Sequence, residues 1–258
     1  MKRFATVLLL NLGIMVGAAD FVRGESAATA PEELTQTIAG IEAAANDRDI
    51  DAVIEYYSPD FQNSDGLTVE VLTKALQKMW QDYPNLEYTT EIESWSKSGD
   101  ELVAETVTRI VGMQNTASRK GRLKSTIRSR QYFQGEQLVR QEILTEQSQL
   151  TLGANPPQVQ VIAPNKVATG EKYNFDLIVD RPLGDRVLLG AVKEEKTAGN
   201  LYLNATSLEL EPLPAGGIYK VATAPSSPTS NWLSAILVRG DGMTMITHRV
   251  NIEAKAGK

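Results

Sequence analysis

The chain has no cysteine and only one histidine, His248, among its 258 residues. Without thiols there is no disulfide framework, no thiolate nucleophile and no cysteine-based metal site. A single imidazole excludes a zinc site built from several histidines, and its position leaves the first half without a Ser-His-Asp triad. Aromatic residues are scarce at 6%, and glycine-rich phosphate loops, paired metal motifs and internal repeats are absent. No metal or cofactor is expected. Long hydrophobic runs are missing too. The stretch from Phe4 to Val16 is interrupted by Thr6, Asn11 and Gly13, is too short to span a bilayer, and has no longer counterpart downstream, so no stable membrane anchor is expected.

That short run has another use. Lys2 and Arg3 precede it and the small residues Gly17, Ala18 and Ala19 follow it, the three parts of a secretory leader spanning residues 1–19, with cleavage between about residues 18 and 30. No cysteine follows to accept a lipid. Loss of Lys2 and Arg3 leaves 24 basic against 32 acidic residues, a formal charge of −8. An exported acidic product argues against nucleic acid and anionic membrane as general partners. The expected compartment is the periplasm or another extracytoplasmic space. With 42% hydrophobic and 22% charged residues, the chain is foldable, and its length suits two domains.

The first half changes period midway. Leu34, Ile38, Ile41 and Ala45 recur at helical spacing behind Glu32 and Glu33, which suit a helix N-terminus. A second, shorter helix from Asp49 carries Val53, Ile54 and Tyr57 and stops at Pro59. A third follows Thr68 as N-cap and puts Leu72, Leu76, Met79 and Tyr83 on one face. From Leu86 the period is two, through segments at about residues 86–96, 101–113, 121–134 and 136–149. Ser98-Gly99-Asp100 and Gly135-Glu136 are the turns of an antiparallel meander. The segment AANDRDIDAVIEYYSPDF and this element order resemble the nuclear transport factor 2-like (NTF2-like, SnoaL-like) superfamily over residues 32–152. The resemblance implies an α+β cone, three helices on a curved antiparallel sheet. It also implies an apolar pocket inside the cone, and a homodimer through the sheet.

Asn155-Pro156-Pro157 reads as a linker over residues 153–157. Beyond it, residues 158–254 show about seven short apolar runs separated by turn clusters, with no helix pattern. Tyr173, Phe175, Leu177 and Val179 alternate with polar neighbours and face a core. Residues 201–203 with 208–210 read as one of these strands. The pattern resembles an all-β immunoglobulin-like sandwich. His248, alternating with Ile246 and Val250 in the last run, reads as a solvated surface histidine.

Two sets of site candidates emerge. Tyr56, Tyr57, Trp80 and Trp95 are the aromatics placed to line a pocket for a small apolar ligand. Arg119, Lys120, Arg122, Lys124, Arg128 and Arg130 form a basic strip for an anionic partner, or pair across strands with Glu101, Glu105 and Glu142. No catalytic residue stands out. The reading is an exported, non-catalytic binding or scaffold protein with a β-sandwich interaction module that engages a protein partner or a small apolar ligand. The rival is a cofactor-free isomerase, dehydratase or cyclase acting on a small hydrophobic molecule.

Overall fold

The computed structural model describes residues 24–115, 120–180, 187–204, 207–213 and 216–255. The leader at residues 1–19, Arg119 and the side chain of Lys120 lie outside them. The elements in chain order are β1 (Glu25–Ser26), α1 (Glu32–Asp47), α2 (Ile50–Glu55), β2 (Tyr57–Asn63), α3 (Val69–Asp82), β3 (Glu87–Ser98), β4 (Glu101–Asn115), β5 (Lys120–Gln134) and β6 (Gln137–Gly153). They continue as β7 (Val159–Ile162), β8 (Lys166–Ala168), β9 (Lys172–Val179), β10 (Leu189–Lys196), a 3-10 helix (Gly199–Tyr202), β11 (Glu211–Pro212), β12 (Gly217–Thr223), β13 (Thr229–Arg239) and β14 (Gly242–Glu253). Among the described residues no helix is long and apolar enough to cross a membrane.

Local chemistry accounts for the ends of the helices. The Asp49 side chain accepts from the Ala52 N–H, and Thr68 Oγ1 accepts from the Val71 N–H, so the starts of α2 and α3 each have one of their unpaired donors satisfied. Arg48 closes α1 in the left-handed region at φ 58. Two expectations give way. Tyr57 does not extend α2 but opens β2, a strand parallel to β6 whose pairing breaks between Tyr57 and Gln62. Pro59, unable to donate to a ladder, falls inside that break. Residues 201–203 form no strand either, and the 3-10 helix runs through Tyr202.

The meander β3-β4-β5-β6 is antiparallel, with Gly99 and Gly135 at positive φ in its tight turns. It does not end at β6. Leu152 pairs with Met243 and Leu150 with Met245, so β14, the last strand among the described residues, continues the same sheet into β13, β10 and β11. The second half adds a separate sheet, ordered β12-β9-β7. Phe175 and Leu177 from β9, Ile218 from β12, Leu233 and Leu237 from β13, and Ile246 and Val250 from β14 close one dry core between the two layers. The chain is thus mostly antiparallel sheet with few helices.

Residues 153–157 are held down by the β13–β14 hairpin. The N–H groups of Ala154 and Asn155 donate to the Asp241 carbonyl at 3.0 and 3.1 Å, and Arg239 Nη2 donates to the Asn155 carbonyl at 2.6 Å. Arg239 and Asp241 also pair at 3.0 Å, so the tripeptide Arg239-Gly240-Asp241 serves the turn.

Candidate functional site

The helices rest on the concave face of the meander, but they do not fill it. Buried side chains form two clusters there, one around Val53, Trp80, Tyr88 and Ile110 and one around Leu34, Ile38, Phe61, Phe133 and Leu138. Between the helices and the sheet lies a cavity of about 480 Å³, within the range of small-molecule sites. Leu72, Leu76, Met79 and Tyr83, the face predicted for α3, all line it.

The sheet side of the cavity mixes apolar side chains with hydroxyls and amides, and Glu146 is its one carboxylate among the described residues. Leu123, Ser125, Ile127, Ser129 and Gln131 alternate along β5 and all face inward, as a period of two requires. Their polar members bond to neighbouring strands, Ser125 to Ser148 at 2.7 Å and Ser129 to Thr106 at 3.1 Å, and beside them Asn63 of β2 donates to Gln141 of β6 at 3.1 Å. Strand β6 changes face within its length. Arg128 pairs with Thr145 but Ser129 pairs with Ile143, so one extra residue, Leu144, bulges from the ladder. The bulge lets Gln141 and Ile143 on one side, and Glu146 and Ser148 on the other, all reach the cavity.

Glu146 belongs to a charged cluster that joins the two halves. Arg249 of β14 is fully buried. Its Nη1 and Nη2 donate to Asp65 Oδ1 and Oδ2 at 2.8 and 2.5 Å, while its Nε and Nη2 donate to Glu146 Oε2 at 3.2 and 3.0 Å. Trp232 Nε1 donates to the same oxygen of Glu146 at 2.8 Å, and Tyr202 Oη donates to Asp65 at 2.7 Å. The Tyr202 ring meets Trp232 edge to face at 5.1 Å. Burial pushes the Asp65 carboxyl up, but the hydrogen bonds and charge of Arg249, with bonds from Tyr202 and Thr197, outweigh it and hold the group below its ordinary range. Burial pulls Arg249 down, and the bonds and charges of Asp65 and Glu146 raise it above its usual value. Tyr202, which lines the cavity, is raised by burial and by both carboxylates, and so stays a neutral donor. Gly199 makes the approach feasible, since a Cβ there would sit 2.6 Å from the Gly66 carbonyl oxygen.

Of the four predicted pocket aromatics, Tyr57 lines the cavity, with its phenol pushed up to about 12 by burial. Tyr56, Trp80 and Trp95 do not line it. Tyr56 packs against α1, where its hydroxyl occupies the space a side chain at Gly40 would need. Trp80 Nε1 donates to Tyr88 Oη at 3.0 Å, and Trp95 Nε1 donates to Thr29 on the sheet's rim. The acids on the wall, Glu42, Asp82 and Glu146, escaped sequence reading. The β6 bulge turns Glu146 inward, where unbroken alternation from Glu142 would put it outside, and Asp65, Arg249 and Glu146 are separated by long stretches of chain.

The basic strip proves to be half of a charge ladder on the convex face. Arg128 bonds to Glu93 and, at 2.7 Å, to Glu105. Arg130 pairs with Glu105 at 2.7 Å and Glu142 at 3.5 Å, and Arg140 joins Glu142 while lying over the Tyr132 ring. Glu101, expected in this ladder, instead accepts from Gln134. Arg122 and Lys124 are exposed and make no ion pair among the described residues. His248 departs from expectation: it is 5% exposed, turned toward the sandwich core, and its Nε2–H donates to the Pro164 carbonyl at 3.1 Å. Burial lowers its pKa against the opposing pull of that carbonyl and of Glu146, so it is a neutral structural residue. No group of three or more His, Asp or Glu side chains suited to a metal ion occurs among the described residues.

Comparison with known families gives one match, a domain of unknown function (DUF8623), over residues 154–253. Curated proteins gave no match. Among solved structures, the chain is similar to Bd1075 of Bdellovibrio bacteriovorus, at 15% identity over 43% of this chain and 38% of that one, with a TM-score of 0.32. A protein with a ketosteroid isomerase-like fold from Catenulispora acidiphila is 17% identical over 45% of this chain and 85% of its own, TM-score 0.32. An LEH-like epoxide hydrolase of M. tuberculosis is 11% identical over 43% and 80%, TM-score 0.31. The chain therefore spans well under half of Bd1075, and each likeness is confined to under half of this chain.

Proposed function

We propose that this is an exported binding protein that encloses a small, largely apolar molecule in the cavity of its NTF2-like half, while its immunoglobulin-like half completes the cavity wall and offers a surface to a protein partner. The observation that carries the reading is the state of the wall's carboxylates. Glu146 holds Arg249 and Trp232, Glu42 accepts from the Thr90 N–H at 2.5 Å, and Asp82 pairs with Lys78 at 3.0 Å. Each of these carboxylates is tied on one oxygen to a donor of the protein, so none stands as the isolated carboxylate that a general base in an apolar cavity calls for. The remaining polar groups are hydroxyls and amides, which orient a ligand.

The immunoglobulin-like reading draws on strand order. Sheet β12-β9-β7 faces β11-β10-β13-β14, and short β8 runs parallel to β14 at the sheet's margin, a Greek-key arrangement of two packed layers. Export rests on the leader read at residues 1–19, and N-terminal sequencing of the product from an exporting host checks it. The binding reading is tested by titrating the purified protein with a panel of small apolar molecules and following thermal unfolding. A saturable rise in Tm is expected, and Ala75→Phe, which fills the cavity, should abolish it. Turnover of a panel member that is lost in Glu146→Gln or Tyr57→Phe would replace this reading with the isomerase, dehydratase or cyclase alternative.

A further inference from the structure

We infer that the molecule held in the cavity is a small organic cation, an ammonium group on an apolar body, with its charge set against Glu146. The inference depends on the binding reading above and narrows it to a ligand class.

The argument is one of charge balance. A single guanidinium, Arg249, serves two carboxylates. The side chains of Arg249 and Asp65 are fully buried, and that of Glu146 is 12% exposed. Asp65 uses both oxygens on Arg249 and accepts a further bond from Tyr202, so its charge is well compensated. Glu146 receives Arg249 and Trp232 on Oε2 alone, and no hydrogen bond to its Oε1 occurs among the described residues. The cluster therefore carries one unit of negative charge among largely buried groups, and Glu146, with Oε1 open to the cavity, is the carboxylate it presents on the wall. An unmatched charge in such a place is costly unless a counter-charge joins it. A bound cation supplies that counter-charge, and an anion would double the imbalance.

The rest of the wall points the same way. Its other charged members are Glu42, Asp82 and Lys78, and Lys78 is engaged by Asp82. Hydroxyl and amide oxygens along the sheet side accept from a donor head group. The apolar side chains of α3 then cover the body of the ligand.

A matched series on one hydrocarbon tests this: cyclohexylmethylamine, cyclohexylmethanol and cyclohexanecarboxylate, each titrated into the purified protein at neutral pH by calorimetry. The amine should bind on the order of tenfold more tightly than the alcohol, the advantage of a charge-assisted bond over a neutral one, and the acid should bind most weakly. Glu146→Gln should shrink the ratio of amine to alcohol toward one. An acid that binds as well as the amine, or a ratio untouched by Glu146→Gln, overturns the ligand class and leaves the binding reading standing. Failure of all three to bind overturns both. The wild-type ranking needs no variant, so instability of Glu146→Gln does not blunt the test.

Discussion

The two halves of the molecule share one sheet but use it in opposite ways. In the second half, β9, β12, β13 and β14 close on a single continuous core, and Phe175, Leu177, Leu233 and Leu237 are wholly buried in it. In the first half the buried side chains divide into two clusters, and the space between them is a cavity of about 480 Å³. The convex and concave faces of the meander differ just as sharply. The convex face is a ladder of ion pairs, while the concave face is neutral apart from the acids on its wall. The contrast is between a half that closes on one core and a half whose packing leaves a cavity, with the Asp65–Arg249–Glu146 cluster as the joint between them.

The joint is where the largest effect is expected. Arg249→Met leaves two carboxylates without their cation and should cost about 3–5 kcal/mol in urea unfolding. A loss below about 1 kcal/mol would show that the halves do not depend on the cluster. Its pH signature has a definite sign. The folded-state pKa of Asp65 lies below the ordinary value of 3.8, so its contribution is full above that value and fades as pH falls through the depressed one. Asp65→Asn should therefore be less stable than wild type at neutral pH and should show a flatter loss of stability below about pH 4.

The packed and hollow regions can be compared directly. Leu237→Ala removes atoms from a closed core and should cost about 2–5 kcal/mol. Ile127→Ala, on a wall that already borders empty space, should cost about 1 kcal/mol or less, because fewer contacts are lost. Equal costs at the two positions would mean that the cavity is closed in solution. Gly40→Ala comes next. Its Cβ would lie 2.2 Å from the Tyr56 hydroxyl, and the displacement should cost about 1–3 kcal/mol by thermal unfolding. Arg128→Ala is expected to matter least. Its ion pairs with Glu93 and Glu105 sit on a face where the arginine side chain is 43% exposed, which limits the loss to about 1 kcal/mol or less, shrinking further in high salt.

Much of this architecture was legible in the chain. The helical spacing of Leu72, Leu76, Met79 and Tyr83 set the face that α3 turns to the cavity. The alternation along β5 separated Leu123, Ser125, Ile127 and Ser129 from Arg122, Lys124, Arg128 and Arg130, and the predicted partners Glu105 and Glu142 do accept from the arginines. Reading failed where a neighbour overrode the local period. Tyr57 looked helical because it continues the spacing of Val53 and Ile54, yet a parallel partner in β6 draws it into a strand. His248 looked like a solvated surface residue because nothing in its surroundings in sequence shows that β14 is covered on both faces.

The sequence by itself determined the periods, the caps, the turns and the separation of charged from uncharged sheet faces, because those follow from residues a few positions apart. It also excluded thiol chemistry and multi-histidine metal chemistry by composition alone. Only the tertiary structure decided that β14 returns to pair with β6, and that the bulge at Leu144 turns Glu146 inward. Asp65 and Arg249, 184 positions apart, meet there because the sheet passes through both halves. Such a meeting depends on the global path of the chain, which no local pattern encodes.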